Sequence, residues 1–248
     1  MYASERIPLL TQCCLGDALI VKVSVIIPAL NEQRTIGSAI ASARNAGADE
    51  IIVVDGGSTD LTTQIAARDA AVTVLTSSQS GRAAQQNLGA ANAAGDIFLF
   101  LHADCRLSRN SISDLVNRVS ASPRTIAGCF RQRIDQPGFR YRSLETGNLW
   151  RVRLLKWAYG DQGIFVRAAV FREQNGFPAV CFLEDLLLMK KLRRAGRIAV
   201  LDSHIEVSAR RWRRRGVLGQ TLRNWLIVAL AHLGIAPERL AKLYPNDR

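Results

Sequence analysis

Acidic residues follow two predicted strands and open one predicted helix. Asp55 and Asp104 come shortly after apolar runs, and the pair Glu184-Asp185 follows Gly176-Phe177-Pro178. A carboxylate in such a position can hold a hard divalent cation, accept a hydrogen bond from a ribose hydroxyl, or act as a general base. Each acid also has a purely structural interpretation, because acids cap helices and favour their first turns.

Two further groups of residues carry possible chemistry. His102 precedes Asp104 by two positions and is a candidate second metal ligand, although a lone histidine at a strand end is more often hydrogen-bonded structure. In Arg210-Arg211-Trp212 the guanidinium groups can hold a diphosphate while the indole packs against substrate. A basic exposed turn is the alternative interpretation of this triplet.

The elements that must position these residues alternate between strand and helix. Apolar runs predict buried strands at 23–27 (ended by Pro28), 50–54, 72–75 and 97–101, and helices at 35–46, 61–70 and 81–94. This alternation favours a mostly parallel sheet with right-handed crossovers. Ligands of such sheets bind beyond the carboxyl ends of the strands. We therefore expect Asn31-Glu32, Asp55 and Asp104 to lie along one crevice.

The pattern after residue 120 is less regular. It predicts strands at 126–134, 163–166 and 198–201, and helices at 141–157 and 184–195. The apolar stretch at 217–233 is interrupted by polar residues and is too short to cross a bilayer. A core helix and an interfacial helix with a basic flank both remain open for it.

Composition limits the class of protein. The chain of 248 residues is 48% hydrophobic and 22% charged, as expected for a single globular α/β domain. Its net charge of +12 indicates an anionic partner. Its five cysteines include no CxxC pair, which argues against a disulfide framework or a zinc site and favours the cytoplasm. Residues 1–21 lack the pattern of a signal peptide, so we interpret them as a poorly ordered extension.

Taken in order, the motifs resemble family-2 glycosyltransferases of the GT-A fold. The matching segments are VIIPALNE (25–32), VVDGGSTD (53–60), Gly81-Arg82 through Gln86-Asn87-Leu88-Gly89, FLHAD (100–104), Gly176-Phe177-Pro178 leading to Glu184-Asp185, and Arg211-Trp212. The resemblance implies one domain over 22–248. Within it we expect a nucleotide-binding half at 22–106, an acceptor half at 107–215 and a helical segment at 216–248. The motifs at 102–104, 159–163 and 208–212 look like a compact bacterial subgroup without transmembrane helices.

The resemblance also implies roles for individual residues. Asp104 matches the last acid of the family's DxD motif and would bind Mg²⁺ or Mn²⁺, and Asp185 matches the catalytic base of inverting members. The implied nucleotide-sugar contacts are Pro28, Ala29, Asn31, Glu32, Asp55, Gly57, Arg82, Asn87, His102, Ala103 and Asp104. The implied acceptor or diphosphate contacts are Asp161, Gln162, Glu184, Arg211 and Trp212. Two positions depart from the family pattern: His102 replaces the first DxD acid, and Gly56 replaces the usual second acid after Asp55.

The implied activity is transfer of a sugar, with inversion, from a nucleotide-diphosphate sugar to an acceptor hydroxyl. The apolar stretch at 217–233 and its basic approach suggest a lipid-linked or isoprenoid acceptor, contact with a membrane surface, and a place at the inner face of the cell membrane. His102 leaves open a catalytically idle relative that only binds nucleotide.

Two other classes of protein are disfavoured. A nucleotidyltransferase should carry a Gly-rich loop with a lysine after the first strand, and residues 28–32 have neither feature. A nucleic-acid-binding protein should interleave basic residues with exposed aromatics, but aromatics make up only 6% of the chain. We therefore expect no nucleic-acid partner.

Overall fold

A computed structural model describes most of the chain. It covers residues 21–216, apart from the side chains of Arg211, Arg214 and Arg215, and also Gly219, Arg223, Leu226, Ile227, Leu230, Ile235, Arg239 and Leu240. The predicted extension at 1–21, except Val21, and most of the apolar stretch at 217–233 lie outside this part. Within the described residues, no helix is both long and apolar enough to traverse a bilayer.

Eight strands form one sheet in the order β3-β2-β1-β4-β7-β6-β8-β5. They are β1 Val23–Ala29, β2 Glu50–Asp55, β3 Val72–Thr76, β4 Ile97–Phe100, β5 Cys105–Leu107, β6 Thr125–Ile134, β7 Ile164–Arg167 and β8 Arg197–Val207. β7 runs antiparallel to both neighbours, and β5 runs antiparallel to β8. The other pairs are parallel, so the predicted mostly parallel α/β sheet is confirmed.

Helices connect and cover the strands. They are α1 Ile36–Asn45, α2 Thr62–Ala66, α3 Arg82–Asn92, α4 Ser111–Ala121, α5 Phe139–Leu155, α6 Ala168–Glu173, α7 Glu184–Ala195 and α8 Arg210–Arg215, with a 3₁₀ turn at Gly160–Gln162. In α1, Ile36, Ala39, Ile40 and Ala43 recur at helical spacing and are all buried, which fixes the face that packs on the sheet. The helix ends before Gly47, whose φ of +91° suits glycine.

The sheet is buried on both faces. Along β1, Val25 and Ile27 belong to one apolar cluster, whereas Ile26 belongs to a second cluster with Phe98 and Phe100. Successive strand residues point to opposite faces, so a continuous apolar run is what a doubly covered strand requires. This packing fixes the strand ends on which the candidate site is built.

Several predicted boundaries were wrong. β1 continues through Pro28 to Ala29; the pairing with β4 ends at Ile26↔Phe100, so the missing N–H of Pro28 breaks no ladder bond on that side. α2 ends at Ala66, four residues before the predicted end at residue 70. Beyond the helix, the Asp69 carboxylate accepts a hydrogen bond from the backbone nitrogen of Ala71.

Other elements were not predicted at all, or only in part. β8 extends to Val207 rather than residue 201, because its polar second half pairs with both β6 and β5. β5, α4 and α6 are additions to the prediction.

Candidate active site

The loops that follow β1 and β2 are fastened to each other. Asn31 has a φ of 54°, and its side-chain oxygen accepts a hydrogen bond of 2.9 Å from the nitrogen of Thr59. In return, Ser58 Oγ accepts one of 2.9 Å from the nitrogen of Asn31, and Thr62 Oγ1 accepts one of 2.8 Å from that of Glu32. These hydrogen bonds join the two loops into a rigid rim at the carboxyl edge of the sheet.

Asp55 ends β2 behind this rim and is only 3% exposed. Its Oδ2 accepts hydrogen bonds from the nitrogens of Gly57 (2.9 Å) and Ser58 (3.0 Å). Its Oδ1 is buried and accepts no hydrogen bond from the protein. Because an unsatisfied buried carboxylate oxygen is costly, this atom is suited to accept an N–H or O–H group of a ligand. Gly57 has a φ of +93°, which glycine tolerates and which brings its N–H to Asp55.

Gln85 of α3, which was not predicted as a site residue, locks the ends of β1 and β2. Its Nε2 donates to the carbonyl oxygens of Ala29 (2.7 Å) and Val54 (2.8 Å). Pro28 and Ala29 are themselves buried within β1. They therefore help to form the edge of the sheet mainly through their backbone.

Glu184 and Asp185 form the first turn of α7 and are 5% and 7% exposed. Asp185 Oδ2 accepts a hydrogen bond of 2.9 Å from the nitrogen of Gly160, and Arg82 Nη1 lies 3.3 Å from Glu184 Oε1. Burial, reinforced by the neighbouring charge of Glu184, raises the pKa of Asp185 to about 7, against the lowering effects of Arg82 and the Gly160 N–H. A carboxylate with such a pKa is suited to accept a proton near neutral pH.

Gly160 brings His102 and Asp185 together. A Cβ atom on Gly160 would lie 2.2 Å from His102 Nε2 and 2.6 Å from Asp185 Oδ2. The absence of a side chain at this position thus lets the imidazole and the carboxylate approach the same point from two sides. The sequence signal for this contact was the glycine pair in Tyr159-Gly160-Asp161-Gln162-Gly163.

A group of possible metal ligands lies beside this contact. The ligand atoms of His102, Asp104 and Cys105 all lie within 4.8 Å of one another, and Ala103 between them is buried. Carboxylate oxygen suits Mg²⁺ and Mn²⁺, whereas imidazole and thiolate favour softer metals. Mg²⁺ commonly takes only one or two protein carboxylates and completes its shell with phosphates and water. Of the three donors, only Asp104 therefore suits such an ion, with His102 as its neighbour.

A chain of polar side chains holds the 159–163 loop against α5. Gln132 Nε2 donates to Asp161 Oδ2 (2.8 Å), and Asn148 Nδ2 donates to Gln132 Oε1 (2.6 Å). Arg151 links Asn148 Oδ1 (2.9 Å) to Gln162 Oε1 (2.6 Å). Gln162 is 1% exposed and also accepts from the nitrogen of Tyr159 (3.2 Å), so its visible role is to shape the loop.

Asn87 is occupied by the loop that leads to α7. Its carboxamide donates to the carbonyl of Phe177 and accepts from the nitrogen of Phe177, both at 2.9 Å. Both bonds go to one residue of that loop, so Asn87 positions the approach to Glu184. Its expected contact with the nucleotide stays a prediction.

The basic segment at α8 reaches the same edge of the sheet. Arg210 Nη2 lies 4.0 Å from Glu32 Oε1, and the nitrogen of Ala209 donates to Asp135 (2.8 Å). Trp212 is 8% exposed and packs in the core, so its indole anchors α8. Its expected contact with substrate stays a prediction. The side chain of Arg211 lies outside the described residues.

The three acids found by sequence thus gather along one edge. Asp55 ends β2, Asp104 follows β4, and Asp185 meets His102 at Gly160. α3 joins them, because Gln85 contacts the ends of β1 and β2 while Arg82 faces Glu184. The arrangement provides an unsatisfied carboxylate oxygen, a candidate cation ligand and a buried carboxylate of raised pKa along the same edge of the sheet.

The model for glycosyl transferase family 2 matches residues 24–175, which is more than half of the chain. The chain belongs to this family. The match covers Asp55, Asp104 and the 159–163 loop, so the predicted family is confirmed.

Known proteins resemble the chain in part. It is 30% identical over 162 residues to the undecaprenyl-phosphate 4-deoxy-4-formamido-L-arabinose transferase of Salmonella paratyphi A, covering 61% of this chain and 49% of that one. It thus spans about half the length of this curated relative.

Among solved structures, TarS 1-349 of S. aureus has a TM-score of 0.62 at 19% identity, over 76% of this chain and 61% of that one. Glucosyl-3-phosphoglycerate synthase of Mycobacterium tuberculosis, solved with Mn²⁺, UDP and glucosyl-3-phosphoglycerate, has a TM-score of 0.57 at 23% identity, over 74% and 70%. These similarities show the GT-A fold.

Proposed function

We propose that this protein transfers a sugar from a nucleotide-diphosphate sugar to an acceptor hydroxyl with inversion at the anomeric carbon. The observation that carries the proposal is Asp185, a buried carboxylate with a pKa of about 7 that meets His102 and Gly160 beside the strand-end acids. Buried acids with such shifts are typical of groups that accept protons in catalysis. Family membership supports the reaction class.

The donor binds along the rim formed by the β1 and β2 loops. Asp55 Oδ1 accepts from the base or ribose, because it is the oxygen that the protein leaves unsatisfied. Asn31, Glu32 and Gly57 border the nucleotide, and Arg82 lies on the path from this rim to Asp185. The solved relative from Mycobacterium tuberculosis, which holds UDP, supports a pyrimidine nucleotide as the first donor to test.

Asp104, with His102 at its side, would hold Mg²⁺ or Mn²⁺ at the diphosphate. When bound, the ion supplies Lewis-acid neutralisation of the departing charge. Arg210 adds positive charge from α8 on the same edge, where guanidinium groups suit diphosphate oxygens. The synthase from Mycobacterium tuberculosis was solved with Mn²⁺ beside UDP, which supports this choice of cofactor.

Asp185 accepts the proton of the acceptor hydroxyl as that oxygen forms its bond to the anomeric carbon. The bond from this carbon to the diphosphate oxygen breaks at the same time, and the nucleoside diphosphate leaves with the electron pair. The N–H of Gly160 holds Asp185 in place through one oxygen, while Oδ1 accepts no hydrogen bond from the protein and is left to take the proton. Asp161 and Gln162 shape the acceptor side through their bonds to α5 and β6.

We further propose that the acceptor is lipid-linked, so that the protein works at the inner face of the cell membrane. The name of the Salmonella relative includes undecaprenyl phosphate, which supports an isoprenoid carrier for the acceptor; the attacking hydroxyl would belong to a group linked to that lipid. The net charge of +12 favours contact with anionic lipid. In this proposal residues 22–106 handle the nucleotide, 107–215 the acceptor, and 216–248 the membrane side.

A thermal-shift panel of UDP-, GDP- and dTDP-sugars with and without Mn²⁺ tests the donor. We expect one nucleotide to raise Tm, and Mn²⁺ to increase that rise. Asp104→Asn should abolish the contribution of the metal, while Asp202→Asn, a change at an exposed acid, should leave it intact. If no nucleotide raises Tm, the proposal fails. If nucleotide binds but no sugar is transferred to any hydroxyl of a polyprenyl-linked sugar or of a soluble alcohol, the chain is a catalytically idle relative that only binds nucleotide.

A further inference from the structure

Helix α5 exposes large apolar side chains to solvent. Six large apolar residues are exposed in the described part of the chain, and four of them are on this helix: Phe139 (85%), Trp150 (55%), Leu154 (72%) and Leu155 (39%). Only Val152 of α5 is buried. Most helices of a globular domain direct such residues inward. We therefore expect a binding partner to cover the outer side of this helix.

Three of these side chains lie in one line. Residues 139 and 150 are eleven positions apart, close to three full turns, and Leu154 is one turn further on. Ser143 and Gly147 lie between them on the same side and are exposed. This α5 stripe, formed by Phe139, Trp150 and Leu154 with the small residues between, is about 22 Å long.

Positive charge flanks the C-terminal end of the α5 stripe. The single acid of the helix, Glu145, is paired with Arg142 at 2.9 Å and lies off the stripe. Past the end of the helix lies an open groove of about 440 Å³ whose charged residues are all basic: Arg118, Arg153, Lys156, Arg193 and Arg197. Arg193 Nη1 donates to the carbonyl of Leu155 (3.3 Å), which joins this basic groove to the C-terminal end of α5.

We propose that the α5 stripe and the basic groove form a docking surface for an anionic phospholipid bilayer. Trp and Leu side chains on a helix that lies flat enter the boundary between headgroups and acyl chains, and flanking cations bind the lipid phosphates. Charge selects this occupant over a second copy of the chain, because two such basic faces would repel each other.

The position of α5 links the docking surface to the candidate active site. On its inner side, Arg151 donates to Gln162, so the helix that rests on the bilayer also holds the 159–163 loop beside Asp185. This use, delivery of a lipid-linked acceptor, rests on the proposed function. The docking itself does not, because it can be measured without donor or acceptor.

Co-sedimentation with vesicles tests the proposal. The full-length protein should bind vesicles of phosphatidylglycerol and phosphatidylcholine in equal parts, and should bind much less to phosphatidylcholine alone. Combining Trp150→Ser with Leu154→Ser should weaken binding by at least about tenfold, because both apolar side chains are lost from the interface. The matched control is Leu61→Ser, a change at another exposed leucine away from α5. It should bind as the unaltered protein does.

A second pair of variants tests the basic groove. Arg153→Gln combined with Arg197→Gln should weaken binding to anionic vesicles and reduce its dependence on salt. Three results would overturn the proposal: no binding to anionic vesicles, equal binding by the stripe variant and the unaltered protein, or a dimer in solution that Leu154→Ser dissociates. The last would assign the stripe to a second copy. Unchanged Tm values would exclude unfolding as the cause of lost binding.

Discussion

Replacing Asp185 with asparagine should stabilise the fold at alkaline pH while removing activity. Burial and the charge of Glu184 raise the pKa of Asp185 from 3.8 to about 7. The folded protein therefore holds a proton that the unfolded chain releases, and the stability that this group contributes is lost as the pH rises from about 4 to 7. At about 1.4 kcal/mol for each tenfold change in equilibrium, keeping the carboxylate charged above pH 7 costs about 4 kcal/mol.

Asparagine keeps the shape of the side chain and an acceptor for the Gly160 N–H, but carries no charge. Allowing for its own burial, we expect a gain of about 2–4 kcal/mol at pH 8, or a Tm higher by roughly 5–10 °C. The gain should fall to less than half at pH 5. Sugar transfer should drop by about 10²-fold or more, because the general base is absent.

The assay is thermal unfolding of both proteins across this pH range, together with transfer at saturating donor. Asp202→Asn serves as the control, since its exposed carboxylate should change neither quantity. A Tm for Asp185→Asn at or below that of the unaltered protein at pH 8 would refute the reasoning. So would a difference in Tm that is independent of pH, because the charge of Asp185 would then not be its source.

Three other changes test the surroundings of the base. Gly160→Ala should lower both Tm and transfer, because its Cβ would overlap His102; normal values for both would show that the two groups are not held as described. Arg82→Met should raise the pKa of Asp185 further, because it removes a positive charge. The acidic limb of the pH dependence of kcat/KM should then move to higher pH, and an unchanged limb would show that Arg82 does not influence Asp185. Gln85→Leu should destabilise the protein by about 2–4 kcal/mol, since two buried strand-end carbonyls lose their donor; denaturant unfolding measures this, and a smaller effect would indicate that the loops rearrange.

The half of the fold that precedes Asp104 could be predicted from the sequence because three of its four strands, β1, β2 and β4, are buried on both faces. Runs such as 23–27 and 50–54 are largely apolar, and helices of ordinary length separate them. The later half was harder to predict. β8 lies near the edge of the sheet, where its second part mixes polar and buried residues, so no apolar run marks residues 202–207.

The acids of the site were predictable, but most of their partners were not. Asp55, Asp104 and Asp185 stand out because a carboxylate after a strand or at a helix start is conspicuous in a sequence. Gln85 is not, because nothing local indicates that a glutamine in an Ala-rich helix will be buried against two strand ends. Likewise, the contact of Gly160 with His102 joins residues far apart in the chain and depends on the antiparallel insertion of β7 between β4 and β6.

The bonds of α3 have a consequence for exchanging parts between relatives. Gln85 of this helix donates hydrogen bonds to the ends of β1 and β2, beneath the loops that follow these strands. Asn87 exchanges two hydrogen bonds with the backbone of Phe177, just before α7. The proposed donor site and the proposed base are thus both positioned by α3. A chimera meant to change the donor should replace residues 56–60 together with their partners at 31–33, whereas a graft that includes α3 must bring segment 176–185 from the same parent.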